Sequence, residues 1–363
     1  MCTWKTVVAR IALAWTVGNL LFREVAADPG LLIGNTRADN IVAYYEKDEM
    51  LMEYVAELNN PDHIRVVDDY LYVTVGDSPE TSTMYRMNMK TGHVDKDFLK
   101  GGDLLRPYGF DFYKDRIYVA SFLTDKVIIY DMYSGAYIGV FAAGDGTEEG
   151  LVNGPNHIAI YEDYLYLTTQ GSVATNGEPV YGLSSQIAVF DLHTGQGQVF
   201  APQPTPLEDS LGFVSMLGIQ IYCPSHGMCY AYTSDFAGGL RVYTLDGELV
   251  SEASTTYESG AIAGAISIAD GKLYVPGFVD DTTDGVVQRF TVELDGSLTA
   301  DDDLFVGPSA MLVRPIGVLA LGSYGTKASK AAKSSSSKSY GKGMMMMMGM
   351  MKYKMMKSSK ARN

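Results

Sequence analysis

The chain has 363 residues, 47% of them hydrophobic, and a formal net charge of −15; this is material for one large domain or two ordinary ones with a full core. The charge is unevenly placed. Residues 28–323 hold 15 Lys+Arg against 42 Asp+Glu, whereas residues 324–363 hold 10 Lys+Arg and no acid. An acidic body argues against nucleic acid as a partner, because phosphate affinity needs a cationic surface.

The N-terminus has the layout of a secretory signal over residues 1–27. Lys5 and Arg10 precede an apolar run at 11–22, IALAWTVGNLLF, and Val25-Ala-Ala offers small residues for cleavage. The run is shorter than the ~20 residues of a membrane helix, so no membrane span is expected. An uncleaved anchor or a buried helix is the alternative. The signal predicts a secreted, extracellular or cell-wall-associated protein, and nothing in the body calls for more than a monomer.

From residue 31 onward one unit repeats. NPDHIRVVDDYLYVTV (60–75), RPYGFDFYKDRIYVAS (106–121) and GPNHIAIYEDYLYLTT (154–169) align without gaps. Each begins with an alternating run, makes an acidic turn, and continues into a second run. The second runs fall at 31–34, 70–75, 116–121, 164–169, 229–233 and 272–276. Third runs centre on Tyr44, Tyr85, Tyr130, Phe190, Tyr243 and Phe290. Most third runs end in a turn of one type, such as Lys90-Thr-Gly, Tyr133-Ser-Gly and His193-Thr-Gly, and a fourth run often follows.

Alternation over a few residues between Gly, Asn and Asp punctuation is strand chemistry. Four short strands every ~40–50 residues make a propeller blade. The fold class is therefore all-β, a six-bladed β-propeller over residues 28–323. Leu31 enters directly on a second run, and the body ends on RPIGVLAL (314–321), which matches a first run alone. The last strand is expected to complete the first blade and close the ring, which removes the sheet edges.

Aligning the blades on their second runs isolates one position in the first strand. It reads His63, Gly109, His157, Gly218, Ala265 and Gly317. Small residues suit a point where six strands converge. The two histidines depart from that and are candidates for a metal or polar ligand site at the channel mouth. Neutral imidazole binds zinc or copper well. Two histidines hydrogen-bonded to nearby backbone would be the plainer outcome. Asp62, Tyr108 and Asn156 occupy the preceding position, and Arg106 and Arg314 precede the proline. They could join a pocket or be ordinary rim residues of a wet channel.

Cys223 and Cys229 bracket PSHGM between two strand-like runs. Cross-strand cysteines can lie close enough for a disulfide, and a hairpin staple is expected. Two free buried thiols, or a metal clip with His226, are the alternatives. No Gly-x-Ser-x-Gly elbow, His-Glu-x-x-His, phosphate loop or EF-hand loop occurs. The acidic patches at 280–284 and 301–303 read as solvated loops rather than calcium sites.

After residue 321 the composition changes. Lys327, Lys330 and Lys333 are spaced by three among serines, and a methionine-rich stretch follows at 343–356. This tail, 324–363, lacks the apolar variety for a core and is expected to be disordered. Its charge suits anionic surfaces such as silica, acidic polysaccharide or lipid, and its thioethers suit Cu(I).

The unit at 106–141, RPYGFDFYKDRIYVASFLTDKVIIYDMYSGAYIGVF, resembles NHL-type repeats of the six-bladed propeller superfamily. The likeness covers residues 31–321 and implies a fold that hosts enzymes and binding modules alike. Peptide-amidating lyases are similar propellers that hold zinc with histidines from different blades. By that likeness His63 and His157 match two ligand positions, and Ala265 falls on the third. The calcium-binding Glu, Asn and Asp of lactonase-type relatives have no match here. The lysine and serine array of the tail looks like segments of silaffin-type proteins. Two functions are thus expected to compete. One is a non-enzymatic scaffold that binds an extracellular protein or cell-wall component. The other is a metal-assisted lyase or hydrolase working around His63 and His157.

Overall fold

A computed structural model describes residues 29–322. The expected signal segment and the basic tail lie outside the described residues. Within them, antiparallel sheets form the six blades of a propeller. The innermost strands, from the first blade to the sixth, are Pro315–Ala320, Ile64–Val67, Pro107–Tyr113, Pro155–Tyr161, Met216–Ser225, and the pair Ile262–Ala263 and Ser267–Ala269. The expected closure is present. Pro315–Ala320 pairs with Leu31–Asn35, and Leu31 sits opposite Ala320 and Gly34 opposite Gly317.

Second strands such as Tyr70–Val75 and Tyr164–Thr169 are covered on both faces and buried almost throughout. This is why they read as near-continuous apolar runs. Outer strands such as Tyr137–Ala143 are largely exposed. The core lies between neighbouring blades. Tyr72 and Met84 of the second blade, for example, pack with Phe110, Val119 and Tyr130 of the third. Full burial of one such side chain contributes about 1.5–3 kcal/mol.

The Thr-Gly and Ser-Gly turns have a clear cause. Asp131 Oδ1 accepts from the amides of Tyr133 and Ser134, and Asp191 Oδ1 accepts from those of His193 and Thr194. The following Gly135 and Gly195 take φ of 68° and 72°, a region that costs other residues energy.

The ring is sewn by two alternating devices. From first to second, third to fourth and fifth to sixth blade, a glycine lets the backbones touch. A Cβ on Gly317 would come 1.9 Å from Asp62 O, one on Gly109 2.4 Å from His157 Cα, and one on Gly218 3.0 Å from Ala265 Cα. The other three junctions use hydrogen bonds. The Thr74 hydroxyl donates to Tyr108 O at 2.6 Å, and that of Thr168 to Leu217 O at 2.5 Å. At the third, Ala265 N donates to Ile316 O at 2.8 Å. Thr74 and Thr168 also accept from His63 N and His157 N. The six-fold ring is therefore a pseudo-three-fold assembly of blade pairs. The small residues and the His, His, Ala series are its two halves.

Two elements depart from the simple repeat. A hairpin, Ser172–Thr175 with Glu178–Tyr181, is inserted in the fourth blade, and Val306–Val313 adds to the third strand of the sixth. Cys223 and Cys229 are joined, as expected from their spacing.

Candidate functional site at the channel mouth

The site is built where the first strands begin. Asn60, Arg106, Gly154 and Arg314 each precede a proline and take positive φ, 46°, 51°, 63° and 50°. For the three non-glycine residues this is an uncommon conformation that the ring must hold in place. Two residues further on stand Asp62, Tyr108 and Asn156, followed by His63, Gly109 and His157.

The structure brings the two histidines together. Their ring centroids are 4.7 Å apart with a 33° tilt, and His63 also packs on Phe110 at 5.0 Å. Gly109 makes this approach feasible, because the intervening blade presents no side chain at that position. Phe110 N donates to His63 Nδ1 at 3.3 Å. That nitrogen is an acceptor, so the ring proton of neutral His63 belongs on Nε2. His157 Nδ1 lies 2.7 Å from Asn156 Oδ1; it donates there, which leaves Nε2 as an acceptor. His157 Nε2 in turn lies 3.7 Å from Asp62 Oδ1.

His157, Asn156 and Asp62 are buried. Burial pushes the Asp62 carboxyl up to about 7, against the pull of the Arg106 and Arg314 guanidinium groups. Burial pushes His157 down to about 3. It also holds His63 well below the usual imidazole range, helped by repulsion from His157 and Arg65. The Tyr108 phenol is raised, again chiefly by burial. Around neutral pH both imidazoles are therefore uncharged, and Asp62 stands near its midpoint.

Four polar atoms of this cluster are buried without a hydrogen-bond partner: Asp62 Oδ1, Arg106 Nε, Asn156 Nδ2 and His157 Nε2. Buried polar groups are otherwise paired in folded proteins. Of the eleven such side-chain atoms among the described residues, these four share the channel mouth. The Arg106 guanidinium lies 5.6 Å from the Tyr108 ring centre and 5.8 Å from that of Phe122. Arg314 is held differently, with Nη1 3.2 Å from Asp281.

As metal ligands the residues fall short. Among the described residues no group of three or more His, Cys, Asp or Glu is placed to hold an ion. The third junction carries Ala265, and Pro276 stands where Thr74 and Thr168 stand in the other two blade pairs. A catalytic zinc takes three protein ligands.

The inserted hairpin falls outside the repeat, and its signal in the sequence is Asn176-Gly177 between two short alternating runs. It brings Tyr181 close enough to Arg106 and Tyr108 for their charges to interact. Asp125 anchors the hairpin by accepting from Gly154 N at 2.9 Å and Ala174 N at 2.7 Å.

No protein-family model and no curated protein matches the sequence. The fold does match solved structures. A chain in a crystal structure of a nidogen/laminin complex superposes with a TM-score of 0.56 at 13% identity, over 80% of this chain and 97% of that one. A protein provisionally described as a 6-phosphogluconolactonase, from Bacteroides fragilis NCTC 9343, superposes with a TM-score of 0.48 at 14% identity, over 79% and 96%. This chain is a six-bladed β-propeller. At these identities the likeness to nidogen/laminin extends to the fold alone.

Proposed function

We propose that this protein is a secreted, non-enzymatic binding propeller. Its channel mouth takes a polar group of an extracellular protein or cell-wall component, and its basic tail holds anionic surfaces. The observation that carries the reading is the convergence of Asp62 Oδ1, Arg106 Nε, Asn156 Nδ2 and His157 Nε2, all buried and unpaired. Each such group costs about 1–3 kcal/mol when left unsatisfied. A partner with both donors and acceptors would recover that energy on binding. The test is an array of extracellular peptides and oligosaccharides probed with wild-type protein and Asn156→Leu/His157→Leu. Ligands lost by the variant, with its melting temperature retained, support the mouth as the binding site. Identical binding by both proteins removes it. For the tail, residues 324–363 fused to a carrier should adsorb to silica and be released by salt. Equal adsorption after Lys→Ala at 327, 330 and 333 would sink the lysine array.

A second reading places catalysis at the same mouth, with zinc or copper on His63 and His157. It is favoured by the contact between the two imidazoles and by the open His157 Nε2. Metal analysis of purified protein decides it. Stoichiometric metal that disappears in His63→Ala/His157→Ala supports the enzyme. Metal at background level returns the mouth to the binding role.

A further inference from the structure

Arg106 is an anomaly in this acidic body. Of the arginines that are not exposed, Arg65, Arg86, Arg241, Arg289 and Arg314 each have a carboxylate partner. Among the described residues Arg106 has none, and its Nε is buried without an acceptor. A buried guanidinium nitrogen is seldom left unpaired, because its desolvation is recovered only by a hydrogen-bond acceptor.

The ring explains where that acceptor would sit. Asp62 lies on the second blade, and the first and third blades carry Arg314 and Arg106 at the equivalent positions before Pro315 and Pro107. The two arginines therefore flank Asp62 from both sides. Arg314 is held by Asp281 at 3.2 Å, a carboxylate it shares with Arg37, so Arg106 is the guanidinium of the pair without a carboxylate partner. At the start of the next blade's first strand, Asn156 Nδ2 is a second unused donor, and the aromatic faces of Tyr108 and Phe122 wall the guanidinium.

We infer that the channel mouth recognises a single carboxylate, bound by the fork of Arg106 with Asn156 as auxiliary donor. The planar guanidinium matches a carboxylate through two parallel N–H donors. A phosphate dianion suits the site less well, with one unpaired cation and a neighbouring acid. This deepens the reading of the mouth as a binding site and rests on it. A peptide C-terminus and a uronate sugar both present this group.

The test uses the full chain and isothermal titration with three probes: acetyl-glycyl-tyrosine, its C-terminal amide, and glucuronate. A carboxylate probe should bind at least tenfold more tightly than the amide. Arg106→Gln should lose at least tenfold, and Arg106→Lys should lose less. Asp62→Asn should tighten binding at pH 8, where the native carboxylate repels the ligand; a merely structural role would not produce that gain. The peptide acid and glucuronate arms separate the two sources. The inference fails if neither carboxylate binds, or if Arg106→Gln keeps wild-type affinity with its melting temperature unchanged. If acid and amide bind equally and Asn156→Leu abolishes both, the carboxylate is overturned while the mouth remains a binding site.

Discussion

Asp62 Oδ1 lies 3.7 Å from His157 Nε2, although the two residues belong to blades that are not neighbours. Neither atom has a hydrogen-bond partner, and burial moves the two groups in opposite directions, Asp62 up to about 7 and His157 down to about 3. Their contributions to stability therefore run against each other. Asp62 binds its proton more tightly when folded, so its contribution is fully present below its unfolded value of 3.8 and is lost as pH rises through about 7. His157 binds its proton less tightly when folded, so its contribution is present above 6.5 and is lost as pH falls toward about 3.

Asp62→Asn removes one arm of this balance. Relative to wild type, the variant should gain stability between pH 4 and pH 8, by on the order of 4 kcal/mol for a shift of this size. Urea unfolding at several pH values measures it. A difference between the two proteins that stays constant across the range would mean that Asp62 is already ionised in the folded protein at pH 5.

Gly109 is the residue that allows His157 to reach His63. Gly109→Ala would place a methyl group 2.4 Å from His157 Cα, backbone that cannot yield as a flexible side-chain tip would. A loss of about 1–3 kcal/mol is expected, together with displacement of the His157 ring resonances. Gly139→Ala is the control, since nothing lies within 4 Å of its added carbon; it should leave stability unchanged or slightly raised. Equal melting temperatures for the two variants would contradict the close junction between the third and fourth blades.

Much of this was legible in the chain, and the limits are physical. Alternation, aromatic third strands and the Thr-Gly turns are local signals, so the blades and the closing strand could be read directly. The series His63, Gly109, His157, Gly218, Ala265, Gly317 was visible too. Its meaning was not, because the glycines answer to backbone in the next blade, as Gly317 answers to Asp62 O. The same holds for Thr74 and Thr168, whose hydroxyls cross blade junctions. That Arg314 has Asp281 and Arg106 has no such partner depends on loops distant in sequence, and no spacing rule reports it.

Arg241 is the largest fully buried side chain, and its guanidinium is satisfied on every side. Nε lies 2.9 Å from Glu252, Nη1 3.1 Å from Asp235, and Nη2 donates to Thr205 O at 2.8 Å. Asp235 Oδ1 meanwhile accepts from Ser215 N and Ala237 N. Arg241→Met would leave Asp235 buried without its cation, at a cost of about 3–5 kcal/mol. Adding Asp235→Asn should recover part of that loss, because the uncovered charge is gone. Chemical denaturation of the single and double variants checks the order, and a loss under about 1 kcal/mol for Arg241→Met would show that the network contributes little.

The closing strand gives the sharpest test of the architecture. Leu31–Asn35 has Asn40–Tyr45 on one edge and Pro315–Ala320 on the other. Removing residues 314–321 exposes that second edge and strips Val318 and Ala320 from a cluster that includes Leu31, Ile33 and Leu312. It also removes the Ile316 carbonyl that Ala265 N bonds, so the sixth blade loses its junction with the first. A lost edge strand in a closed ring cannot be compensated locally, and the open edge invites self-association. The truncated chain should unfold at a markedly lower temperature and form larger species on size-exclusion chromatography. A shorter truncation after Leu321 leaves every one of these pairs intact and should melt with the full chain. If both truncations melted alike, the ring would owe its stability to something other than the strand that closes it.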